Sequence, residues 1–223
     1  MTRAPAFLLA PIVLVQGRGL SRRIPRMAPA SPRSGGSRLP SALRLLVFGD
    51  STAIGTGVEQ MADAMVGQLA RRLPESVAWR AVGENGATSA EICERHLPEA
   101  LSDPADVAVV LVGWNDALHL RSAAAYAADL GALLDALRTR NPDARLVVVG
   151  PPAFGDFAVL PQPLRLVLGA HARGLARAAR RVAAERGVLF VPGFDGRSVA
   201  SDGFHPDATG YATLAERVSA ALG

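Results

Sequence analysis

The stretch VFGDSTAIGTGV, residues 47–58, decides how the chain is read. An apolar run over 43–48 stops abruptly at Gly49-Asp50-Ser51, and small residues then lead into a helix-like pattern. A continuous apolar run rich in branched side chains reads as a strand buried on both faces. The same pattern recurs at 77–82, 107–112, 146–149 and 188–191. Helical stretches lie between the runs, at 54–73, 88–101, 123–140, 164–186 and 208–222. Such alternation predicts a doubly wound α/β domain, a parallel five-stranded sheet between helices in a flavodoxin-like arrangement. The domain is expected over 41–223, with no repeat and no second domain.

Of the 223 residues, 49% are apolar and 20% charged, which is enough for a substantial core. The charge is uneven. The first 43 residues carry seven arginines and no acid, while the rest carry 17 arginines against 20 acids. A basic tail on a mildly acidic body predicts an anionic surface near the N-terminus and argues against a nucleic-acid-binding core. Residues 6–15 form an apolar run too short to span a bilayer comfortably, and Pro11 interrupts it. No clear small-x-small cleavage site follows, and more arginines come after the run than before it, which disfavours export. Residues 1–40 are therefore expected to be an extension ending in a Pro/Gly/Ser linker (31–40). Peripheral membrane contact through them is one use, on a cytoplasmic protein. If they only attach the chain to lipid, deleting the first 30 should spare hydrolysis of a soluble ester.

In a doubly wound sheet, ligands bind where loops leave the carboxyl ends of the strands. Four such loops carry polar groups: Gly49-Asp50-Ser51, then Gly83 to Thr88, then Gly113-Trp114-Asn115-Asp116, and, after the last strand, Asp202-Gly203-Phe204-His205. Each alone is ordinary, since Ser, Thr and Asp commonly cap helices and glycines turn chains. Together they complete a mechanism. A serine hydroxyl such as that of Ser51 needs a base, and the His205 imidazole can take its proton and later return it to the leaving group. Asp202, three residues away, can fix the imidazole's tautomer. The Ser51 amide at a helix start, the Gly86 amide and the Asn115 side chain are candidate donors for an oxyanion. Gly83 is the alternative to Gly86.

This set of blocks resembles the SGNH hydrolases, also called GDSL esterases and lipases, over residues 43–221. The resemblance implies Ser51 as nucleophile, His205 as base, Asp202 as its partner, and Gly86 and Asn115 in the oxyanion hole. Thr52 stands where the family name implies leucine, at a position outside the chemistry. It implies no cofactor.

The remaining residues receive plainer readings. Asp50 and Asp116 are assigned to loop bonding. Cys93, the one cysteine, is assigned to packing, and His96, His119 and His171 lack metal spacing. Phe154 and Phe157, in the apolar loop 151–163, are candidates to wall a substrate pocket with Trp114 and Phe204. The expected activity is hydrolysis of carboxylic esters, short or medium in the acyl chain or lipid-like. Lysophospholipase or thioesterase action and carbohydrate O-deacetylation are alternatives. From another class, a phosphate-binding module using the 49–57 loop would leave Asp202 and His205 without a purpose.

Overall fold

The protein is seen in a computed structural model that describes residues 27–223 together with 12, 13, 15–17 and 19. Most of the apolar run 6–15, and with it the expected membrane contact, lies outside the described residues. Six strands form one sheet: β1 (Ser34–Gly36), β2 (Leu43–Gly49), β3 (Val77–Gly83), β4 (Val107–Leu111), β5 (Arg145–Val149) and β6 (Leu189–Val191). Their order is β1-β3-β2-β4-β5-β6, and all pairings are parallel except β1 with β3. The five apolar runs are thus the five parallel strands. β4 is buried along its whole length and β2 over its last five residues, so the sheet needs cover on both faces.

Helices supply that cover. They are α1 (Met65–Ala70), α2 (Ser89–Arg95), α3 (Leu97–Ala100), α4 (Trp114–Leu118), α5 (Ala123–Arg140), α6 (Leu164–Glu185) and α7 (Ala208–Leu222). α5 packs on α2 and α6, while α1 packs on α7. α5 buries Tyr126, Leu130, Leu133, Leu134 and Leu137, the recurring face of an amphipathic helix. Its start is fixed by Ser122, whose side chain accepts from the Ala125 amide, and α7 is capped in the same way by Asp207.

Three expectations are corrected. The helix expected over 54–73 is only Met65–Ala70. Residues 51–57 form successive turns instead, because Gly55 (φ +72°) and Gly57 (φ +111°) take left-handed conformations that no right-handed helix accommodates. Ser51 therefore does not open a helix. The stretch over 88–101 is split at His96, after which Pro98, lacking an amide to donate, sits in the first turn of α3. Finally, the sheet has six strands, because part of the expected linker is β1. Ala30, just before it, is buried and donates its amide to the Ile54 carbonyl.

The folded unit consequently reaches back to about Met27. A chain starting at Ser41 should melt at least about 5 °C below one starting at Met27 by thermal unfolding, since it loses β1, its bonds to β3 and the burial of Ala30.

Candidate active site

Counted along the chain, the parallel strands run second, first, third, fourth, fifth across the sheet. The winding reverses between β2 and β4, and a crevice opens at such a reversal. Register sharpens this. Gly49 pairs with both Gly83 and Leu111, Leu111 with Val149, and Val149 with Val191, so the carboxyl ends finish level. A Cβ on Gly49 would stand 1.8 Å from the Leu111 carbonyl oxygen, so only glycine lets β2 and β4 close at this point.

Ser51 and the loop preceding α7 meet over this crevice. His205 Nε2 lies 3.1 Å from Ser51 Oγ, across 154 residues of sequence. His205 Nδ1 lies 2.6 Å from Asp202 Oδ2. The other Asp202 oxygen accepts the amides of Phe204 (2.9 Å) and His205 (3.0 Å). Burial pushes this carboxyl's pKa upward, but the hydrogen bonds from His205 and the two amides outweigh it and hold the group below its usual range. A charged carboxylate therefore faces one imidazole nitrogen while the other faces a hydroxyl. Such a chain can draw a proton from the hydroxyl and stabilise the resulting imidazolium. Trp114 stacks beneath the imidazole at 5.9 Å between centroids and 13° between planes.

Asp50 does not join this chain. Its Oδ1 accepts from the Thr52 amide (3.0 Å) and hydroxyl (2.7 Å), a local turn that holds Ser51 between them. Only 2% exposed, its carboxyl is pushed up to about 6 chiefly by burial, against the pull of Thr52.

On the opposite side, the loops after β3 and β4 are tied together. Asn115 Nδ2 donates to the Ala87 carbonyl at 3.0 Å. Asp116, fully buried, accepts from the Ser89 amide (3.0 Å) and hydroxyl (2.6 Å) and pairs with Arg121. Thr88 caps α2 in a reciprocal box with Glu91. The Thr88-x-x-Glu91 spacing is the sequence signal that locates this helix start. Gly86 sits between, at φ +80° with open space where a Cβ would be, so its backbone conformation is what calls for glycine. Among the described residues, neither the Gly86 amide nor the Ser51 amide donates to another protein group. Gly83 instead lies within the sheet, where a Cβ would meet the Gly49 carbonyl at 1.9 Å.

The pocket expectation is corrected. Trp114, Phe154, Phe157 and Phe204 are all buried and pack mutually, with centroids 5.1–5.8 Å apart. With Phe194 they form a floor under His205 and leave no ring face for a substrate. The cavity against Trp114 and Asp50, about 20 Å³, holds no more than a water. Cys93 is half-buried, its thiol pushed up to about 11 by burial, which keeps it protonated and unreactive. Asn85, unremarked in the sequence, bridges loops by accepting from the Thr56 hydroxyl and donating to the Met27 carbonyl.

Comparison with known proteins agrees with this fold. Residues 47–213 match the family model of the GDSL-like lipase/acylhydrolase family. A GDSL-like esterase of Mycobacterium tuberculosis is 31% identical over 89% of this chain and 72% of its own. Among solved structures, TesA superposes with a TM-score of 0.64 at 24% identity, over 80% of this chain and 97% of its own. A carbohydrate acetylesterase family member from Sinorhizobium meliloti does so with a TM-score of 0.62 at 23% identity, over 81% and 97%.

The Asp50 carboxyl gives a pH signature. With its folded pKa raised, this group's contribution to stability is fully present below the ordinary carboxylate range and is lost as pH rises to about 6. Between pH 4 and 6.5, urea unfolding of the native chain should lose up to about 3 kcal/mol more than unfolding of Asp50→Asn, whose amide oxygen still accepts from Thr52.

Proposed function

The chain belongs to the GDSL-like lipase/acylhydrolase family and is an ester-hydrolysing enzyme acting on small-molecule esters, and from that premise we propose a serine esterase working through an acyl-enzyme, with Ser51 as nucleophile, His205 as general base and acid, and Asp202 as its orienting partner. The observation that carries this reading is the unbroken chain from Asp202 through His205 to Ser51, at 2.6 and 3.1 Å.

In the proposed sequence, Ser51 Oγ attacks the carbonyl carbon while its proton passes to His205 Nε2. The carbonyl electron pair moves onto oxygen, which receives the Ser51 and Gly86 amides and the second Asn115 amide hydrogen. Collapse breaks the bond to the alkoxy oxygen, and that oxygen leaves with the proton from His205. Water then attacks the acyl-enzyme, its proton going to His205. The second collapse frees the acid and returns the proton to Ser51. Asp202 stays ionised throughout.

The substrates proposed are carboxylic esters with short or medium acyl chains, or lipid-like ones. Burial of the site's aromatic rings supports these over carbohydrate acetyl esters, because sugars are commonly held against exposed ring faces. The phosphate-module alternative loses its support, since the 49–57 loop opens no helix and so offers no helix N-terminus to an anion. The basic residues ahead of Met27 would serve attachment of a cytoplasmic enzyme to an anionic membrane surface.

A fluorophosphonate probe should label the native chain and fail to label Ser51→Ala; labelling of both would remove Ser51 from the reaction. Asn115→Ala should lower kcat roughly a hundredfold or more, read on a soluble chromogenic ester, because an oxyanion donor is lost, and circular dichroism checks that the variant, which also loses the bond to the Ala87 carbonyl, is folded.

A further inference from the structure

A cavity of about 510 Å³ opens between three segments: Met27, Ala28 and Pro29; Gly57, Val58 and Glu59; and Ala200 with Ser201. Its volume suits a small-molecule site. None of these residues takes part in the chemistry above, yet each wall is fastened to the loops that carry the residues that do.

Ala200 and Ser201 immediately precede Asp202. The Ala200 amide donates to the His205 carbonyl (2.8 Å), and the Gly203 amide donates to the Ala200 carbonyl (2.9 Å), so this wall belongs to the tight loop that carries the base. Gly57 lies against the same loop from the other side. A Cβ there would come 2.3 Å from the Pro206 carbonyl oxygen and 3.2 Å from His205 Cβ. The N-terminal wall is held to the loop after β3 and to the loop after Ser51. Asn85 donates to the Met27 carbonyl (3.0 Å), Ala30 to the Ile54 carbonyl (3.1 Å), Ser31 to the Glu59 carbonyl (3.3 Å) and Met61 to the Ser31 carbonyl (3.2 Å).

Position selects the half of the ester this cavity receives. The carbonyl oxygen turns toward Gly86 and Asn115, whereas the alkoxy oxygen must meet the proton on His205 Nε2 as it leaves. A cavity walled by the His205 loop and by Gly57 packed on it adjoins the loop of the base, the group that the departing alcohol must reach. Its lining gives the chemistry. Met27, Ala28, Pro29 and Val58 are apolar, Ser201 offers a hydroxyl, and Glu59 adds a carboxylate, with no arginine among the described residues of the lining. An uncharged apolar alcohol fits, and a phosphate-bearing one meets repulsion.

We propose that this cavity is the alcohol subsite, and that Met27, Ala28 and Pro29, ahead of the sheet, form its specificity wall. The proposal rests on the serine-esterase reading. It is tested on the full chain with two ester series: acetates of methanol through octanol, and methyl esters of acetate through octanoate. Val58→Phe, and Ala28→Phe at an exposed position that perturbs no packed interior, should each lower the octyl-to-methyl ratio of kcat/KM among acetates at least about tenfold. The octanoate-to-acetate ratio among methyl esters should stay within about twofold. An unchanged alcohol ratio, an equal loss on all esters, or a shift confined to the acyl ratio would overturn the subsite. Fluorophosphonate labelling of the native chain separates the two failures. A labelled enzyme with unmoved alcohol preference refutes the subsite alone, whereas an unlabelled one refutes the esterase reading beneath it.

Discussion

Backbone crowding at Gly49 is the constraint on which the site depends. Here β2 is pressed against Leu111 of β4 on one side and Gly83 of β3 on the other, so tightly that a Cβ on either glycine would enter a neighbouring carbonyl. Because the three strands end level, the loops that follow leave from one line and are only a strand spacing apart. Ser51 is two residues beyond that line, Gly86 three beyond Gly83, and Asn115 four beyond Leu111. A hydroxyl and amide donors are thus held near one another by the sheet, with little left to the mobility of long side chains. That is the preorganisation electrostatic catalysis needs.

Three buried carboxylates then fix the loops, and one device serves all of them: an aspartate oxygen accepting a backbone amide. Asp50 takes the Thr52 amide, Asp116 the Ser89 amide, and Asp202 the amides of Phe204 and His205. What separates them is the further donor. Asp50 meets only its neighbour's hydroxyl and cannot offset its burial, so its carboxyl rises to about 6. Asp202 has an imidazole as well as two amides and stays below the ordinary range. The same residue type at the same kind of turn is thereby a structural tie in one place and a charged partner for histidine in another.

This difference also marks what could be read from sequence. The five parallel strands were legible because burial on both faces leaves an unbroken apolar run, and α5 and α7 because the segments beside those runs carry a helical pattern. The meeting of Ser51, Asp202 and His205 was legible because each follows a strand whose carboxyl end faces the crevice. β1 was not, since Ser34-Gly35-Gly36 has no apolar pattern and is a strand only through pairing with β3. The helix expected from residue 54 failed because an apolar periodicity does not register that Gly55 and Gly57 adopt positive φ. The pocket assignment failed for a tertiary reason. Aromatic residues in loops beside a site can face the substrate or each other, and only the fold decides between them.

Here they face each other, and the consequence reaches the chemistry. Trp114 lies edge-on to Phe154, Phe157 and Phe204 and stacks on Phe194, so its ring is gripped from several directions. Its remaining face carries the His205 imidazole. The next residue along is Asn115, whose amide is aimed by the Ala87 carbonyl. One rigid aromatic block therefore connects the loop that holds His205 to the loop that holds Asn115 and its amide donor, although the two are ninety residues apart in sequence. A shift of the imidazole relative to that donor would have to repack the whole cluster. Close packing of this kind resists small displacements, so the rings do more for the site as its foundation than they would as the walls of a pocket.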